Sequence, residues 1–187
     1  FGDMPYKPNA YQQNDWFAEF GENLGSYVNP ASIAEADQIE VGAGVYRTLS
    51  GKAGQEFVSA VHPFGYNHTV ALTYFENGSD IEGSNASYLE NAYILGYALR
   101  MPWGAPGGIS HKVALGVNAT IFQYDPFGAL GGVQYAYGAD VGLVYNPFTA
   151  SSMGQLLLGV AVQNALQPKV KTTTGSYHIP RNLNASL

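Results

Sequence analysis

The chain contains no cysteine. That absence excludes a disulfide framework, thiol catalysis and thiolate metal sites. Charge is scarce as well: 12% of the residues are Asp, Glu, Lys or Arg, about half the roughly 25% of an ordinary globular protein. The few cations form no basic stripe and the net charge is -6, which argues against nucleic acid as a partner. Long hydrophobic runs are missing too. One of the longest, Leu156 to Val162, is seven residues, against the ~18 to 20 that a membrane-spanning helix needs. No basic-then-apolar leader precedes Phe1, and we read the chain as the mature form of an exported protein with its signal peptide removed.

What is abundant is glycine and tyrosine, 23 and 14 of 187 residues, an unusual pairing with so little charge for a cytosolic enzyme. The length allows one domain and forces no second. Ala139 to Gln163 organises the reading. Val141, Leu143 and Tyr145, then Leu156, Leu158, Val160 and Val162, alternate with mostly small residues, and Asn146-Pro147 and Ser151-Ser152 supply turn chemistry between them, so the stretch predicts a hairpin with one greasy face.

The same period of two recurs upstream. It predicts strands from Gln38 to Tyr46, Gln55 to His62, Thr69 to Phe75, Tyr88 to Met101, Lys112 to Tyr124 and Gln134 to Tyr145, with long polar loops at 76–87 and 125–132. After the hairpin come a polar connection, Asn164 to Ser176, and an eighth strand, Tyr177 to Leu187. Ahead of the strands, 1–14 reads as an irregular arm. Asp15 to Leu24 reads as a short amphipathic piece, and Asn29-Pro30-Ala31 as a capped turn with Asn at the N-cap and Pro at the first helical position. The division is therefore an N-terminal arm or plug segment, 1–37, and a body of strands, 38–187.

Two all-β folds fit that alternation, a soluble sandwich and a transmembrane barrel. Three signals favour an antiparallel transmembrane β-barrel with seven to eight strands in this chain. The apolar faces at 112–124 and 139–163 carry no charge. Aromatics stand near strand ends, at Tyr46, Tyr88, Trp103, Phe122, Tyr124, Phe127, Tyr145 and Phe148, where interfacial girdles lie. The connections also tend to alternate in length. On this reading Val113, Leu115, Val117, Leu143, Leu156, Leu158 and Val160 face lipid, and Asp140, Gln163 and Asn118 face the lumen.

The run GENLGSYVNPASIAEADQIEVG (Gly21 to Gly42), the pair ADVGLVYNP (Ala139 to Pro147) and LLLGVAVQNALQP (Leu156 to Pro168), and HIPRNL (His178 to Leu183) resemble the FadL-like outer-membrane barrels, in particular the PorV/PorQ-type branch. The resemblance implies a barrel of about fourteen strands, of which this chain would supply part, and an N-terminal segment inside or across the periplasmic mouth. It also implies a place in the outer membrane of a bacterial cell.

Enzyme chemistry is thin. His62, His68, His111 and His178 each neighbour a turn signal and show no metal spacing; a His62–His68 ligand pair is conceivable, but exposed turn histidines fit better. The GAPGG and GALGG runs at 104–108 and 128–132 lack the Lys-Ser/Thr of a phosphate loop. We therefore expect no enzyme, metal or cofactor. Two functions follow from the resemblance: a barrel serving as partner, shuttle or anchor for secreted or surface proteins, or a transporter of hydrophobic small molecules. A soluble sandwich acting as a binding module is the third reading. With the first strand running outward, the loops at 49–54, 76–87, 125–133 and 164–176 would face the cell exterior.

Overall fold

The computed structural model describes residues 27–47, 53–80, 87–103, 111–126, 133–147, 156–172 and 175–186. The expected arm at 1–14 and the amphipathic piece at 15–24 lie outside them. A 3-10 helix, Pro30–Glu35, precedes ten strands: β1 Glu40–Arg47, β2 Ala53–Phe64, β3 His68–Asp80, β4 Ser87–Trp103, β5 His111–Pro126, β6 Gln134–Asn146, β7 Leu158–Gln163, β8 Lys169–Thr172, β9 Gly175–His178 and β10 Asn182–Ser186. Eight form one antiparallel sheet in the order β1-β2-β3-β4-β5-β6-β7-β10, and β8 and β9 pair separately. The sheet does not close into a barrel; β1 and β10 are its edges.

The hairpin at 139–163 forms with Val141 opposite Val162 and Tyr145 opposite Leu158. Elsewhere the strands outrun the expected boundaries. Glu76–Asp80, expected in a long polar loop, continues β3 and pairs as far as Asp80 with Ser87, because a ladder between long neighbours satisfies those backbone groups whatever the side chains are. Pro63 sits inside β2, but beyond Val61, the last residue there that β1 pairs with. A proline is tolerated where the ladder ends on one side. The expected eighth strand is two pieces, β9 and β10, interrupted around Pro180, which has no N–H to give a ladder. The turn 65–67 is a three-residue hairpin loop closed by Phe64 opposite His68, with Gly65 at φ 65°, left-handed backbone that glycine adopts without a Cβ penalty.

Strands β2 to β7 each present two unlike faces. One carries small and polar residues and is covered: Ser59 and Val61 on β2, Thr69, Ala71 and Thr73 on β3, Gly96 and Ala98 on β4, Ala114, Asn118 and Thr120 on β5, Asp140 and Val144 on β6, Ala161 and Gln163 on β7. The other carries large apolar residues and is open, with Leu72 63%, Val117 49% and Val160 47% exposed. The order is inside-out relative to a soluble sheet, whose apolar face turns to the core.

Along β5 the open face reads Val113, Leu115, Val117, Ala119, Ile121 and then turns polar at Gln123. The row holding Gln123 runs sideways through Asn91, Glu76 and Glu56. The apolar band therefore ends at the same register on four strands. Phe122 and Tyr124, expected in an interfacial girdle, belong to the other face. Phe122 is buried with Phe57, Phe75 and Ile94, and Tyr124 packs against that cluster, since even positions of β5 point inward.

Candidate functional site: the seat of the Asn29-Pro30-Ala31 turn

The 3-10 helix lies on the covered face, against β4, β5 and β6. Asn29 is its N-cap, in extended backbone (φ -143°, ψ 109°). Its Oδ1 accepts from the Ala31 N–H at 3.0 Å, and its carbonyl accepts from the Ser32 N–H at 3.0 Å and the Ser32 hydroxyl at 2.8 Å, which satisfies donors that a helix start leaves open. The remaining Asn29 donors reach the sheet. Nδ2 donates to the Leu143 carbonyl at 3.2 Å and the Val160 carbonyl at 3.5 Å, two residues opposite each other on β6 and β7. One side chain thus starts the turn and ties it across a strand pair.

That approach needs bare backbone beneath it. A Cβ on Gly142 would collide with Asn29 Oδ1, and one on Gly116 with the Pro30 carbonyl carbon and the Ala31 nitrogen. Gly116 and Gly142 are register partners on β5 and β6. The glycines make the seat. Ile33, fully buried, fills the next depression with Val61, Ala71, Ala98 and Ala114. The far end of the helix is held by Arg100 on β4, whose Nε donates to the Ala34 carbonyl at 2.7 Å, with Nη2 on the same oxygen, while Nη1 stands 3.4 Å from Asp37 Oδ1. A guanidinium there meets carbonyls that the last turn cannot pair.

Asn118 and Asp140 are register partners on β5 and β6, and Gln163 ends β7 one step past the Val141–Val162 pair; all three are on the covered face and at least nine-tenths buried. Asp140 Oδ1 accepts from the Asn164 N–H at 2.7 Å, Asn118 Nδ2 donates to Asp140 Oδ2 at 3.4 Å, and Gln163 Nε2 donates to the Tyr27 carbonyl at 2.6 Å. Together they make a polar network that pins two chain segments to the sheet. Val113, Leu115, Val117, Leu143, Leu156, Leu158 and Val160 all occur on or beside the open face, Val113 half-buried and the others exposed.

His62 is on the open face of β2, and His68 stacks on Phe64 with its Nδ1 2.7 Å from the Tyr97 hydroxyl. Among the described residues no group of three or more His, Asp or Glu could hold a metal. Arg100 and the glycine seat escaped sequence reasoning. The glycines left a signal, period-two spacing on the small face, but Arg100 left none, because its partner is a main-chain oxygen 66 positions away. Comparison with protein-family models, with curated proteins and with solved structures gives no match, so the arrangement of the residues carries the functional argument.

Proposed function

We propose that this chain is part of the wall of an outer-membrane β-barrel of a bacterium, with its N-terminal segment as an internal plug. We further propose that it serves, without enzymatic activity, as a partner, shuttle or anchor for secreted or surface proteins. The observation that supports the wall is the inside-out sheet. From Val113 to Ile121 the open apolar face runs eight steps, roughly 26 Å along the strand and about 20 Å once tilted by ~40°, near the ~25 Å apolar band of such barrels. Monomers in water rarely expose contiguous apolar surface beyond a few hundred Å². In lipid the bare edges of β1 and β10 would each leave unpaired backbone groups costing several kcal/mol apiece, so this reading requires further strands to complete the wall, to about fourteen if the resemblance holds.

The covered face bears on the choice between partner and transporter. A conduit for hydrophobic molecules needs an open apolar route, and one apolar patch, Phe57, Phe75, Phe122 and Ile94, lies on that face. It is already packed by Tyr27 and Ile179, with the Tyr27 and Phe75 ring centroids 4.6 Å apart. A second apolar patch, Val61, Ala71, Ala98 and Ala114, is filled by Ile33 of the turn. Occupied ground of this kind favours the protein-partner role.

Purification in a mild detergent followed by detergent removal tests the proposal. We expect a detergent-dependent particle that carries a secreted or surface protein. A detergent-dependent particle carrying an apolar small molecule and no protein would favour the transporter, and a monodisperse species in plain buffer would favour the soluble sandwich and overturn the wall.

A further inference from the structure

The chain that leaves β7 folds back over the covered face of the sheet. Asn164 and Gln167 take left-handed backbone, φ 51° and 49°, which turns the chain at the strand end. Asn164, 1% exposed, is held by its N–H on Asp140 Oδ1, and the Ala165 N–H donates to the Ala139 carbonyl at 2.7 Å. β8 then lies against β6, with the buried Pro168 over Gly138, where an added Cβ would stand 3.2 Å from its ring. The return limb is tied to the outgoing one: the Ile179 N–H donates to the Pro168 carbonyl at 2.8 Å and Asn164 Nδ2 to the Pro180 carbonyl at 3.1 Å. Ile179 packs on the cluster of Phe57, Phe75 and Phe122. Residues 164–172 and 175–181 thus form a strap across the sheet.

The N-terminal segment reaches the same patch. The Tyr27 ring lies 4.6 Å from that of Phe75, its carbonyl accepts from Gln163 Nε2 at 2.6 Å, and two residues on Asn29 caps the seated turn. Gln163 and Asn164 are neighbours in the chain, so one holds Tyr27 while the next holds the strap to Asp140 and Pro180. Tyr27 and Ile179 also share one aromatic cluster. Elements that share packing and a continuous run of hydrogen bonds depend on each other's presence. The outer side of the strap is in reach of a partner: Leu166 is 70% exposed, and Gln167, Lys169, His178 and Pro180 are exposed.

We propose that this strap couples the loop end of the sheet to the N-terminal turn: lifting it draws Gln163 off the Tyr27 carbonyl, opens the aromatic cluster and loosens the turn in its seat. A protein bound at the outer mouth would then be felt at the N-terminal arm, a direction that rests on the partner and wall readings. The test is amide exchange of the whole chain in dodecylmaltoside micelles. Asn164→Gly keeps the left-handed backbone but loses the Pro180 tie, and with Ile179→Ala it also loses the apolar anchor. In this double variant exchange should quicken at Ala165 and Gln167, whose N–H groups tie the strap, and by about fivefold or more at Ala31, Ser32 and Ala36 of the turn. Coupling is reciprocal. Tyr27→Ala should therefore quicken Ala165 and Ile179 by about the same factor, while Ala60 and Leu72, paired between β2 and β3, stay unchanged in both variants.

Turn amides that stay protected while the strap opens overturn the proposal. So does a Tyr27→Ala variant whose strap amides do not move. Quickening that spreads equally to Ala60 and Leu72 is a general loosening of the sheet and overturns it as well. If the double variant does not fold, Asn164→Gly alone is read against the same outcomes. The readings fail separately: uncoupled exchange in a detergent-dependent protein retires the strap and keeps the wall, whereas a protein monodisperse in plain buffer retires the wall and leaves the coupling without a membrane to cross.

Discussion

Val117→Arg is expected to destabilise the protein in a bilayer by about 2–4 kcal/mol, while Ile121→Arg, on the same strand and the same face, is expected to cost only about 0–1 kcal/mol. Both side chains lie on the open face of β5, 49% and 43% exposed, so in water the two substitutions should be nearly silent, within about 0.5 kcal/mol. Lipid separates them. Val117 is central in the run Val113 to Ile121, and Ile121 is four residues nearer the polar row at Gln123, roughly 13 Å along the strand. An arginine at the end of the band reaches the headgroups, whereas one at its centre cannot. Urea unfolding in lipid vesicles reads the difference. Equal costs at the two positions would contradict a depth-dependent environment.

Gly116→Ala is expected to lift the Asn29-Pro30-Ala31 turn from the sheet. The new methyl would meet main-chain atoms of Pro30 and Ala31, which have no flexible end to swing aside. Overpacking of this kind costs about 1–3 kcal/mol, comparable with the ~1.5–3 kcal/mol that burial of Ile33 contributes, so detachment competes with strain. Amide exchange at Ala31, Ser32 and Ala36, whose N–H groups are bonded within the turn, should quicken by about tenfold or more, at 1.4 kcal/mol per decade. Ala119→Val, on the opposite face of the same strand, should leave it unchanged. Undisturbed protection in Gly116→Ala would remove the glycine seat from the account.

The alternation was enough to expect an all-β chain, because a period of two with β-branched residues on one face has few other outcomes. It was enough for the hairpin of β6 and β7 as well. The N-cap was equally local: Asn29 and Pro30 state their roles within three residues. Where the turn sits was not legible, since the Nδ2 contacts of Asn29 reach Leu143 and Val160, more than a hundred residues on. Strand ends were misjudged at Glu76–Asp80 because composition reports side chains and the ladder is made by backbone. Nearness to a strand end suggests a girdle for Phe122, but parity along β5 turns it to the covered face.

Oxygen accessibility is the most direct test of the central claim that the open face meets lipid. Spin labels placed one at a time at Leu115, Val117, Leu143 and Val160, and at Asn118 and Ala161 on the covered face, would be measured in vesicles against dissolved oxygen and a water-soluble nickel chelate. Collision with oxygen should be high and with nickel low at the first four, and oxygen collision should drop at the two covered positions. High nickel accessibility at Val117 and Val160, or labels there immobilised as in a protein interface, would contradict the account.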